Sequence, residues 1–269
     1  MIHIVQDRFE EYYNWRLNLG FAQKVFDLLS ECSDIALTGD VAIVRYRQGP
    51  PLCANPTPEN LAFLAAQGVL LPDLPGLKRI VCLNAKAVRW SQWIYQLAHE
   101  GCHHLIDGTM SVQLSGENWF EESLCETASL FCLSKLSRHT IWQQWGCPRY
   151  ALCVQSYLDN QLHESVFLRQ SYYSWNNVEQ SLGIRPWLGI LGETSTQGIT
   201  PEQRTLCNAV ASLILPTFLR TPRLWEILGH IAPSENWQSL EALLAHLESK
   251  VAPDVSDAVR ELRTVLLGD

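Results

Sequence analysis

His99, Glu100 and His103 stand in the segment His99-Glu100-Gly101-Cys102-His103, an H-E-x-x-H. Two histidines four apart project from one face of a helix, near enough to share one metal ion. Glu100, next to His99, can reach a water on that ion without itself being a ligand. The ion would lower the water's pKa, and the carboxylate would take its proton. The chemistry expected of these residue types is metal-assisted hydrolysis. Zinc (Zn2+) is the expected cofactor from ligand type, although cobalt, manganese and iron accept the same donors. At this composition an H-E-x-x-H arises by chance in roughly one or two chains in a hundred, so the rest of a site has to be found.

A third ligand is sought in the run Asn118-Trp119-Phe120-Glu121-Glu122-Ser123-Leu124-Cys125-Glu126. With Asn118 as helix cap, Glu121 falls at the reciprocal position of a capping box and has a local role. Glu122 and Glu126, four apart, share a face distinct from Phe120 and Leu124, and Glu122 is the expected third ligand. Asp107, four residues after His103, would complete an alternative His/His/Asp set, but Gly108 suits a helix end. Cys102 and Cys125 flank the site. A thiolate from either could compete as a ligand, although such cysteines more often serve as small packing groups.

H-E-x-x-H followed by a glutamate after eighteen intervening residues resembles the gluzincin metallopeptidases, both aminopeptidase N-like and thermolysin-like. Trp119-Phe120-Glu121-Glu122-Ser123-Leu124-Cys125 is similar to the W-x-x-E-G-x-A segment of the former, with Ser and Cys standing where Gly and Ala are found. The resemblance implies that His99, His103 and Glu122 bind zinc and that Glu100 is the general base. It implies that Glu126 orients a ligating histidine, as a metal-bound imidazole donates its other N–H to a carboxylate. It also implies a zincin-like fold, with strand Arg79–Leu83 at a sheet edge where an extended peptide could pair. The stretch covered is about sixty residues, Arg79 to Leu136. The G-x-M-E-N signature for a free amino terminus is absent, and Ile106 and Thr109 occupy the Gly and His positions of the metzincin extension. For stabilising an oxyanion, Tyr157, His163, Tyr172 and Tyr173 all remain candidates.

These residues need positioning elements. Lys86 to Ile106 carries Trp90, Ile94, Leu97, Gly101 and Leu105 at helical spacing, leaving the His99/His103 face away from that stripe. Gly101 on the stripe would let another element come close. Trp119 to Leu136 reads as a second helix burying Phe120, Leu124, Ala128 and Phe131. Upstream, Asp7 to Leu19 and Phe21 to Leu29 read as two helices parted at Gly20. Val41 to Arg47 and Arg79 to Leu83 read as strands, with a proline-rich loop over Gly49 to Pro58 and a short helix over Glu59 to Gln67. Beyond Arg138 no segment reads as a strand. Trp142, Tyr150 to Leu162, Glu202 to Leu215, Arg223 to Leu228, Trp237 to Glu248 and Ser256 to Leu266 look helical. The expected class is α+β: a zincin-like α/β core over 1–138, with a small N-terminal sheet and the active-site helix, then a mostly helical part over 139–269.

The composition narrows the function classes. With 269 residues, 47% of them hydrophobic, and ten tryptophans, a sizeable core is expected rather than a solvated coil. A formal charge of −8 argues against a nucleic-acid partner, since phosphate binding rests on Lys and Arg. Leu206 to Leu219 is too short and too interrupted to span a membrane and reads as a core helix. The N-terminal residues lack the basic start and apolar run of a signal peptide. The nine cysteines show no C-x-x-C pair, so a cytoplasmic protein with reduced core thiols is expected. The partner expected is a peptide or protein substrate; oligomeric state is not legible. The function expected is zinc-dependent peptide-bond hydrolysis, the alternative a peptidase-like binding or regulatory module with little general turnover.

Overall fold

β-branched and apolar residues build a four-stranded sheet from the N-terminal third of the chain: Ile2–Val5 (β1), Asp40–Arg45 (β2), Leu52–Ala54 (β3) and Leu77–Leu83 (β4). The computed structural model describes all residues except 6–14, 36–38, 47–48, 70, 72, 87, 107–117, 177–182, 193–199, 232–238 and 269. Trp15–Ser33 (α1) precedes β2, and Pro58–Ala66 (α2) lies between β3 and β4. Trp90–Leu105 (α3) and Asn118–Ser137 (α4) follow the sheet. The remaining α-helices are Ile141–Gln144 (α5), Tyr150–Asn176 (α6), Leu188–Leu191 (α7), Pro201–Arg220 (α8), Leu240–Lys250 (α9) and Pro253–Leu267 (α10). Short 3-10 helices cover Arg185–Trp187 and Pro222–His230. The architecture is α+β, with no strand beyond residue 138 among the described residues.

The strand order is β1-β2-β4-β3, with β1, β2 and β4 parallel and β3 antiparallel to β4. Side chains alternate across the sheet with the period of two that pleating imposes. Val41, Ile43, Val81 and Leu83 enter the main core with α1 and α3. Val44, Ile80 and Cys82 face the other way, toward Leu64 of α2 and Tyr46. Strand β4 is therefore interior, paired on both sides, and not at an edge as the resemblance implied. The edge on that side is β3, which aligns Cys53 with Val81. It is only three residues long, because prolines at 50, 51, 56 and 58 cannot donate to a ladder.

Helix α1 runs unbroken through Gly20, where the sequence suggested a boundary; residues 7–14 of that stretch lie outside the described residues. Packing explains the glycine: a Cβ there would lie 2.8 Å from Cζ2 of Trp145. Trp145 belongs with Phe21, Trp90, Trp142 and Tyr150 to an aromatic cluster in which Phe21 and Trp145 meet edge to face at 4.4 Å. Trp90 and Trp93 thus pack the core.

Helix α3 is fixed to the sheet at its start. Gln96 accepts with Oε1 from the backbone N–H of Asn84 (3.1 Å) and Ala85 (2.9 Å), and its Nε2 donates to the Asn84 side chain. Those two N–H groups leave the end of β4 without strand partners, so one carboxamide satisfies both. On its buried side, α3 meets α1 at Gly101, where a Cβ would stand 3.0 Å from Phe26 and 3.6 Å from Leu29. The close approach expected of Gly101 is present.

One hydrophobic core links the sheet and its helices to the C-terminal helices, from Phe21 to Leu267. Helix α8 sits at its centre, against α4. A capping box starts α8: Thr200 Oγ1 accepts from the Gln203 N–H at 3.2 Å, and Gln203 Oε1 accepts from the Thr200 N–H at 2.9 Å. The apolar stretch Leu206 to Leu219 lies within this helix and is largely buried. Among the described residues no helix is long and apolar enough to cross a membrane. The other helices expected from residue 119 onward are present; the start of the one expected at Trp237 lies outside the described residues.

Candidate metal centre

Helices α3 and α4 face each other in opposite directions. Tyr95 on α3 meets Glu126 and Ser129 on α4, and two turns further His103 meets Glu121 and Glu122. On α3, Tyr95, His99 and His103 repeat every four residues. On α4, Glu122, Cys125, Glu126 and Ser129 repeat at three and four. Those spacings put all seven residues on the seam between the two helices. Ser129 Oγ donates to the Tyr95 carbonyl at 2.8 Å and locks the register.

The seam brings together the three residues proposed as ligands. Glu122 faces both imidazoles, with Oε2 at 3.4 Å from Nε2 of His99 and Oε1 at 3.5 Å from Nε2 of His103. Two ligands on one tetrahedral zinc ion lie about 3.3 Å apart, given bonds near 2.0–2.1 Å, so each separation is close to that of a ligand pair. With a different oxygen toward each ring, the carboxylate bridges the histidines. A second grouping shares the same rings: His99, His103 and Cys125 each offer a ligand atom, all within 4.8 Å of one another. The donor set of imidazoles, carboxylate and thiol fits a borderline-soft divalent cation such as zinc.

Each imidazole is also held from behind. His103 Nδ1 lies 2.8 Å from Oε1 of Glu121, and His99 Nδ1 lies 3.5 Å from Oε1 of Glu126. Glu121, given a capping role by its position, in fact turns its carboxylate to His103. The Asn118 side chain, its supposed capping partner, lies outside the described residues. Glu126 is itself gripped: the Tyr95 hydroxyl donates to Oε2. The Asn208 amide of α8 reaches Oε1 at 3.2 Å, and Arg204 of the same helix stands 3.9 Å from that oxygen. Tyr95, Arg204 and Asn208 escaped the sequence reading. Only Tyr95, four residues before His99 on the same face, left a signal that could have found it.

The electrostatics follow from burial and from this ring of carboxylates. Burial pulls His99 toward neutrality, but Glu126, Glu122 and Glu100 outweigh it and the pKa is raised. His103 is raised well above its ordinary value, Glu121 and Glu122 overcoming the same burial. Although burial opposes it, Glu122 is held well below the usual carboxylate range by its contacts with both histidines. Glu100, only 3% exposed, is pushed up by burial, with both imidazoles acting against the shift. Without a cation, the carboxylates favour the protonated form of both imidazoles, and a divalent ion would take over the charge those protons carry. The Cys125 thiol is raised well above its ordinary value by burial and by its hydrogen bond with Cys102.

Access is graded. Glu100 and Glu126 are enclosed, while the side chains of His103 and Glu122 keep 17% and 18% exposure. The edge strand β3 passes beside the pocket, for Cys53 senses the charges of Glu100, His103 and Glu121. Of the four oxyanion candidates, Tyr157 packs edge to face on Tyr95 at 6.0 Å, and His163 is exposed on α6. The side chains of Tyr172 and Tyr173, with Trp175 beside them, lie outside the described residues, as do Asp107, Gly108 and Thr109. Comparison of the chain with protein-family models, with curated proteins and with solved structures finds no match.

Proposed function

We propose that the chain is a zinc-dependent hydrolase of peptide bonds, with His99, His103 and Glu122 as ligands and Glu100 as general base. The observation that carries this reading is the placement of one carboxylate against both Nε2 atoms, while the Nδ1 atoms are backed by Glu121 and Glu126. When bound, zinc would polarise the scissile carbonyl and lower the pKa of a water beside it. Glu121 and Glu126 hold the imidazole N–H groups and so fix which ring nitrogen is free to ligate. Glu100, its carboxyl raised by burial, accepts the attacking water's proton and hands it to the departing amine nitrogen. The flank of β3 gives an extended chain a place to lie, because main-chain groups on its unpaired side can bond a peptide.

The test has two parts. Purified protein should carry about one zinc per chain, lost on His99→Ala substitution. Glu100→Gln should keep that zinc and lose hydrolysis of a broad peptide library by roughly 10²–10⁴-fold, the range for a positioned acid–base group. Wild-type rates in a zinc-loaded Glu100→Gln protein would remove the general-base role, and absence of metal even in excess zinc would remove the reading altogether.

A further inference from the structure

We propose that the resting site is closed by a fourth ligand, the Cys125 thiolate, which would make this a latent rather than an open zinc centre; the proposal rests on the metal-site reading above. The argument is one of placement. Helix α3 presents His99 and His103 at i and i+4, and α4 presents Glu122 and Cys125 at i and i+3 of the facing stripe. Two donors per helix across one seam would make a four-donor cage once Glu122 turned one oxygen onto the His99/His103/Cys125 group, and four protein ligands are the mark of a closed zinc site, as against three plus water in an open one.

Three of these donors already meet the geometric condition for sharing an ion, since His99, His103 and Cys125 offer atoms within 4.8 Å of one another. Glu122 touches the same two rings within 3.5 Å. The four are graded in depth: Cys125 is fully buried, whereas Glu122 reaches solvent. The thiol therefore approaches from the core side and the carboxylate from the open side. On loading, the S–H bond breaks heterolytically, sulfur keeps the electron pair and bonds the cation, and the proton leaves to solvent. No oxidant or reductant is needed. Peptide hydrolysis would then require the thiolate to give way to water.

Cobalt(II) substitution of the full-length protein tests this by absorption rather than activity. A thiolate on cobalt gives a near-ultraviolet charge-transfer band that imidazole and carboxylate do not. The wild-type cobalt protein should show that band at one thiolate per ion; Cys125→Ser should lose it while still binding cobalt, and Cys102→Ser should keep it. Cobalt bound without the band, or a band that survives Cys125→Ser, overturns the proposal and leaves the His99/His103/Glu122 centre standing. No cobalt bound at all overturns both. Even if Cys125→Ser fails to fold, a wild-type cobalt protein without the band overturns the proposal.

Discussion

Replacing Tyr95 with Phe removes one oxygen from helix α3 and tests whether the support behind His99 matters. Tyr95 is half-buried. Its pKa is raised well above its ordinary value by burial and by Glu126, so it remains a neutral donor at any working pH. It donates to a Glu126 that is 4% exposed. A hydrogen bond to a charged acceptor contributes about 1.5–3 kcal/mol. The Asn208 amide at 3.2 Å still serves Glu126 in the variant, and the phenyl ring keeps its edge-to-face partner Tyr157, so the lower half of that range is expected. At about 2–4 °C per kcal/mol for a chain near this size, the melting temperature of the metal-free protein should fall by roughly 3–9 °C. Zinc affinity should drop about 10–100-fold, the usual consequence of disturbing a partner of a ligating histidine. Thermal melts of the chelated protein and a competition titration with a chromophoric chelator read the two effects. Unchanged melting temperature and unchanged affinity together would mean that Glu126 does not depend on Tyr95, and the supporting chain from Tyr95 through Glu126 to His99 would be wrong.

Gly101→Ala gains about 1 kcal/mol of helix propensity but forces a methyl to within 3.0 Å of Phe26, an overpacking that costs about 1–3 kcal/mol. Urea unfolding should show a net loss of up to about 2 kcal/mol, and a stabilised variant would refute the tight contact of α1 and α3. Thr200→Ala removes half of the α8 capping box and should cost about 1 kcal/mol by the same measurement; no change would mean that Gln203 caps unaided. In the metal-free protein, His103 is raised above its ordinary 6.5. Its stabilisation is full below about pH 6.5 and should fade as pH rises through the folded value. Glu122 is depressed below its ordinary 4.5, so its share is present above about pH 4.5 and is lost as pH falls through the folded value. Zinc binding, which needs neutral imidazoles, should strengthen over the range in which the His103 contribution fades. Chelated and zinc-loaded protein melted across pH should therefore diverge upward with pH, and parallel curves would contradict the assignment.

The seam of the proposed site was legible because its spacing is local. An i, i+4 pair of histidines and a following helix with glutamates at i and i+4 need only helical periodicity to be placed on facing stripes. What stayed hidden depends on distance along the chain. Arg204 and Asn208 reach Glu126 from a helix some eighty residues away, and no pattern within α8 announces it. Glu121 was read by a local rule, capping, while the tertiary partner His103 has the stronger claim on its carboxylate. Strand β1, IHIV, and strand β3, LCA, are too short to show alternation, and β3 is set among prolines that favour a loop reading. The edge position of β4 came from the family resemblance, and the short strand β3 beside it is what makes β4 interior. Gly20 shows the same ambiguity in reverse: a glycine can end a helix or admit a neighbour, and only the presence of Trp145 decides between them.

The Gln96 clasp has a consequence for what the chain tolerates. It ties the turn after β4 to a point three residues before His99, so the phase of α3 is set relative to the sheet. Each residue added or removed between the clasp and the histidines would rotate the imidazoles by about 100° around the helix axis, away from α4 and into the core or the sheet. Substitutions between Gln96 and His103 can be absorbed one at a time, each at its own cost. A single insertion or deletion there cannot, because it dismantles the candidate site while leaving every one of its residues in the sequence.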